Sequence, residues 1–96
     1  MLILITYDVN TTTPEGRKRL SKVAKKCLAY GQRVQNSVFE CVVDATQFKQ
    51  IKLQLADLID SETDSLRFYN LGDRYKSKVD HFGARASYDI EGPLII

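Results

Sequence analysis

Leu2-Ile3-Leu4-Ile5-Thr6-Tyr7-Asp8-Val9 stands at the head of the chain. It is apolar at consecutive positions, not at alternate ones, and its last residues include a tyrosine and a carboxylate. Isoleucine, threonine and tyrosine fit a pleated surface. A strand that lacks alternation is one buried on both faces. Whatever fold this chain adopts must therefore cover two sides of its first strand.

The next segments say what covers the first side. Asn10 to Thr13 is a polar turn. Thr13 suits a helix cap and Pro14 the first helical position. A helix is expected over Pro14 to Tyr30, with Leu20, Val23, Ala24, Cys27 and Leu28 as its apolar stripe. Gly31 stands where a C-terminal cap belongs. Arg33 to Val43 reads as a second strand, with Val34, Val38 and Val42 on one face and Phe39, Cys41 and Val43 on the other. Asp44 and Gln47 have the spacing of a capping box, and Phe48, Ile51, Leu55, Leu58 and Ile59 stripe the helix that follows. An acidic turn, Asp60 to Asp64, leads to a third strand over Ser65 to Leu71. Gly72-Asp73 is a turn signal. Residues 74–82 are basic and weakly strand-like, 83–92 read as loop, and Pro93-Leu94-Ile95-Ile96 as a short edge strand beginning at its proline.

Strand-helix-strand units with right-handed crossovers and both helices on one face give a two-layer α/β sandwich. With 96 residues, one domain spanning residues 1–96 is expected. Two helices leave the other sheet face open, so a second copy packed sheet against sheet is the economical cover. The alternative is that two-sided apolarity reflects strand propensity alone.

Composition narrows the chemistry. Hydrophobic residues make up 44% and charged residues 27% of the chain, as in soluble globular proteins. No apolar run approaches the roughly 20 residues of a membrane span. The first residues lack a basic leader and a small-residue cleavage site, so a cytoplasmic location is expected. Cys27 and Cys41 have neither CxxC spacing nor a nearby histidine, which argues against zinc; both fall at apolar positions. His81, the one histidine, lies in a polar segment and receives no role.

The net charge is only +2, but it is segregated. Arg17, Lys18, Arg19, Lys22, Lys25, Lys26 and Arg33 face a single acid, Glu15, between residues 14 and 35. A basic face of this kind suits a polyanion, and phosphate contacts supply most non-specific affinity for nucleic acid. The competing view is a solvated helix surface. Tyr7, Tyr30 and Phe39 have the chemistry to stack on bases, or simply to fill core and interface.

Asp8 is the candidate for chemistry. It ends a strand, where sites of α/β folds commonly lie. A lone aspartate there is ordinarily a turn residue or a cap. In a two-fold dimer, however, two Asp8 carboxylates would meet and repel, and a shared divalent ion would relieve that repulsion. Magnesium accepts one or two carboxylates plus water and phosphate oxygens. Manganese is the natural substitute. Such an ion polarises a phosphate and lowers the pKa of a bound water, which makes phosphodiester hydrolysis plausible without His or Cys.

Taken together, Tyr7-Asp8-Val9, Gly16-Arg17-Lys18-Arg19-Leu20, Lys22-Val23-Ala24-Lys25, Tyr30-Gly31 and Arg33-Val34-Gln35-Asn36-Ser37-Val38-Phe39-Glu40-Cys41 resemble the Cas2 family of CRISPR-associated adaptation proteins. The likeness runs from Met1 to about Leu71, with the remainder similar to the extended tail of one subgroup. It implies a ferredoxin-like βαββαβ fold and a symmetric homodimer. It also implies a last strand that pairs with the partner subunit, and Asp8 as magnesium ligand, one from each chain. Arg17, Arg19, Arg33, Ser37 and Phe39 fall at or near positions linked to function in such proteins. The implied activity is a slow metal-dependent endonuclease acting on double-stranded DNA or single-stranded RNA. The implied partners are CRISPR integrase subunits (Cas1) during spacer acquisition. The rival role is a non-catalytic DNA scaffold in the same complex.

Overall fold

The computed structural model describes residues 1–84. Within them the elements run β1 (Leu2–Asp8), α1 (Pro14–Tyr30), β2 (Gln32–Gln35), β3 (Val38–Val42), α2 (Ala45–Leu58), β4 (Ser65–Asn70) and a 3-10 turn (Lys76–Lys78). This is the βαββαβ order. The sheet is antiparallel throughout, in the order β2-β3-β1-β4, so β1 is paired on both edges. Among the described residues no helix is long and apolar enough to cross a membrane.

The order matches the expectation, but by a different route. Residues 33–43 are not one strand. Asn36 and Ser37 turn the chain, and β2 folds back on β3 with a register irregularity between Arg33 and Gln35. Polar residues that bond their own backbone favour such a turn, and the surrounding valines and phenylalanine masked it. The hairpin supplies the fourth strand, so residues 74–82 are not needed as one. They contain the 3-10 turn, in which Lys76, Ser77 and Lys78 lack the alternation a ladder strand needs. Lys78 Nζ donates to the Leu71 carbonyl at 2.9 Å, and the buried Tyr75 anchors the segment.

The helix limits follow their chemistry. Thr13 Oγ1 accepts from the Gly16 N–H at 3.0 Å, with Pro14 first in α1. Asp44 and Gln47 close the capping box from both sides, at 2.7 and 3.0 Å. Gly31 ends α1 in extended backbone, φ −161°, not in the left-handed region. A Cβ there would strike the Glu40 carbonyl oxygen and Cys41 Sγ, so glycine lets the helix end approach β3.

The core lies between one sheet face and the helices. Ile3, Ile5 and Tyr7 of β1 and Phe39 and Cys41 of β3 meet Val23 and Cys27 of α1 and Ile51 and Leu55 of α2. Leu28, expected in the α1 stripe, is instead 56% exposed. At 3.6 residues per turn it stands about 100° round the helix from Cys27.

The opposite sheet face is set by the cross-strand pairs Leu2↔Val42, Leu4↔Glu40 and Thr6↔Val38, continued on the other side by Leu4↔Tyr69 and Thr6↔Arg67. Leu4, Thr6, Val38 and Val42 are only half-buried there, and Tyr69 is exposed. The expected edge strand over 93–96 and its pairing with a partner lie outside the described residues.

Candidate metal and nucleic-acid site

β1 alternates faces with period two. Ile3, Ile5 and Tyr7 enter the core, so Leu4, Thr6 and Asp8 share the open face. Asp8 is exposed, in register with Ser65 at the start of β4. Among the described residues its carboxylate takes no hydrogen bond and no ion pair. No three His, Cys, Asp or Glu side chains of the described residues cluster well enough to hold a metal. Among the described residues Asp8 is thus not part of a ready-made ligand cluster. The Asp8 carboxylate suits magnesium only when the remaining positions are filled by water, phosphate or a second chain.

Four of the other named residues gather at the same end of the sheet. The Tyr7 amide donates to the Ser37 carbonyl at 3.1 Å, and the Tyr7 hydroxyl donates to the Asn36 carbonyl at 3.4 Å. The Tyr7 and Phe39 rings stack with centroids 6.1 Å apart. The Arg33 guanidinium lies 5.1 Å from the centre of the Phe39 ring. Burial, with a smaller push from Cys27, raises the Tyr7 pKa, against which Arg33 pulls it down. Tyr7 thus stays a phenol at neutral pH and fastens the β2–β3 turn; it is no base. The thiols are inert too. Burial pushes Cys27 up to about 12 and Cys41 up to about 11, which leaves neither a thiolate nucleophile.

The basic residues are spread along α1. Lys18, Lys22 and Lys25 are exposed on its outer side, with Arg17 exposed and Lys26 half-buried. Arg17 Nη1 also donates to the Thr11 carbonyl at 3.2 Å, which ties it to the β1–α1 loop. From Arg17 to Lys25 the helix rises about 12 Å, enough to follow several phosphates. Arg19 is different. Its Nε donates to Asp64 at 2.8 Å, and the Asp64 side chain is fully buried.

Asp64 is the residue that sequence reasoning missed. It stands among acids in the turn before β4, with nothing local to mark it. Its partners come from three separate segments, and Arg19 lies 45 positions away. Burial alone would raise its pKa. The Arg19 and backbone hydrogen bonds outweigh that and hold the carboxyl down at about 2.

Glu40 lies on the open face opposite Leu4 and is almost buried. Burial raises its pKa, partly offset by the charge of His81. His81 itself is exposed.

Comparison with known proteins places this geometry. The sequence matches the family described as CRISPR associated protein Cas2 over residues 1–79. It is 64% identical over 95 residues to the CRISPR-associated endonuclease Cas2 of Halalkalibacterium halodurans, covering 99% of both chains. It is 54% identical over 96 residues to the CRISPR-associated endoribonuclease Cas2 of Nitratidesulfovibrio vulgaris, covering 100% of this chain and 94% of that one. Among solved structures, Cas2 of Streptococcus pyogenes superposes with a TM-score of 0.75 at 58% identity, covering 86% of this chain and 100% of that one.

Proposed function

The chain belongs to the CRISPR-associated Cas2 family, and we propose that it acts as a homodimeric, magnesium-dependent endonuclease in antiviral defence. Its proposed substrates are double-stranded DNA or single-stranded RNA, and its proposed partners are the integrase subunits of spacer acquisition. Relatives carrying both the endonuclease and the endoribonuclease name support both substrate arms.

One observation carries this proposal. Asp8 is exposed at the end of the central strand, on the sheet face left open by the helices, and its carboxylate has no partner among the described residues. A second copy packed on that face supplies the second carboxylate. A magnesium ion held by the two Asp8 groups would offset their repulsion and supply a water of lowered pKa. The protein's own part is to bind and orient. Arg17, Lys18, Lys22, Lys25 and Lys26 face the phosphate backbone. Arg33, backed by Phe39, adds a guanidinium near the strand end, and Tyr7 and Ser37 fix the turn beside it. With no ligand cluster beside Asp8 among the described residues, turnover is slow.

The test is cleavage of labelled duplex DNA and single-stranded RNA by wild type and by Asp8→Ala, with and without magnesium. Loss of cleavage in the variant is expected. Undiminished cleavage by the variant would overturn the enzymatic role. The sparse ligand set also favours a second role, as a DNA-holding scaffold. In that case Asp8→Ala leaves spacer integration intact.

A further inference from the structure

We propose that Asp64 is the positioning residue of this site, its carboxylate locking the loop after Asp8 and, through Arg19, helix α1 into one body. The inference rests on the role given to Asp8 above.

The Asp64 side chain is 0% exposed, and both of its oxygens are used twice. Oδ1 accepts from the Asn10 amide at 2.9 Å and from Thr63 Oγ1 at 3.2 Å. Oδ2 accepts from Arg19 Nε at 2.8 Å and from the Asp60 amide at 2.9 Å. Asn10 comes two residues after Asp8, and Ser65, next to Asp64, is the β4 residue in register with Asp8. Asp8 is thus bracketed on its loop side and its ladder side by one buried carboxylate. The Asn10 side chain tightens the same loop, accepting from the Thr12 amide at 2.9 Å and from Thr12 Oγ1 at 2.7 Å. Gly16 completes the contact. A Cβ there would collide with the Asn10 carbonyl oxygen, so the first turn of α1 rests directly on the loop.

Arg19 therefore works differently from its basic neighbours. Its Nε is committed to a buried carboxylate, and removing one member of such a pair leaves the other uncompensated. Charge that holds structure does not release counterions from a duplex. Arg19 acts through Asp64, while Lys18, Lys22 and Lys25 are left for phosphate.

Three measurements on the full chain test this, using Asp64→Asn, Arg19→Gln and Lys22→Gln. Mn2+ binding followed by electron paramagnetic resonance, with cleavage kinetics alongside, should weaken about tenfold or more in Asp64→Asn, the size of loss seen when an outer-shell partner is removed. The loss should fall on kcat far more than on KM. Hydrogen exchange should speed up together at the amides of residues 9–17 in Asp64→Asn and Arg19→Gln, and not in α2. The log–log salt slope for duplex DNA should drop by about 0.9 in Lys22→Gln and stay put in Arg19→Gln. Arg19→Gln carries the test where Asp64→Asn does not fold.

Wild-type exchange at residues 9–17 in both variants, or a salt slope in Arg19→Gln that falls with that of Lys22→Gln, overturns the inference. If wild type neither binds Mn2+ nor cleaves, the role of Asp8 falls instead. The exchange measurement still decides the role of Asp64.

Discussion

Gly31 shows how a single position can be right in sequence for a reason only structure reveals. A glycine at the end of a helix ordinarily serves a left-handed cap. Here the backbone is extended, open to any residue, and space is the constraint. An added Cβ would come within 2.5 Å of Cys41 Sγ and closer still to the Glu40 carbonyl. Gly31→Ala is accordingly expected to destabilise the fold by about 2 kcal/mol through overpacking, read as a lower urea midpoint with an unchanged m-value. Asp8 stood out as a candidate because it closes an apolar strand. Asp64 was not, because an acid in an acidic turn looks solvated until the fold delivers an arginine from another helix.

At the scale of elements, both helices were readable to within a residue or two, since caps and stripes are local signals. The Asp44–Gln47 box is one such signal. Asp44→Ala should lower stability by about 1 kcal/mol, a melting temperature some 4–8 °C lower for a domain of this size. No change in thermal melting would show the α2 cap to be energetically idle. The hairpin was less readable. Two-residue turns advertise themselves through Asn-Gly or Asp-Gly, whereas Asn36-Ser37 sits inside a run of strand formers. What looked like one long strand is two short ones, and the strand sought after residue 74 had already been supplied.

For the whole molecule, the sheet face away from the helices is where a second copy is proposed to pack. Leu4, Val38 and Val42 are half-covered, and Tyr69 is 41% exposed with the Arg67 guanidinium 5.7 Å from its ring centre. The helices lie on the opposite side of the sheet. Sedimentation equilibrium at micromolar concentration should give the mass of two chains, and Tyr69→Asp should shift the balance towards one. A wild-type monomer under those conditions would remove the second carboxylate from the proposed site. Segregated charge was also legible in the sequence, but which cations reach solvent and which are spent inside the fold was not.

The paired register of β1 has one further consequence. Ile3, Ile5 and Tyr7 feed the hydrophobic interior between sheet and helices, and Leu2, Leu4, Thr6 and Asp8 take the other face, fully buried at Leu2 and open at Asp8. Both neighbouring ladders enforce that parity. A shift of the strand by a single residue would send leucine and carboxylate inward and isoleucine and tyrosine out. Along this strand many identities are negotiable, but spacing is not: the address of the acidic group is written as an even number.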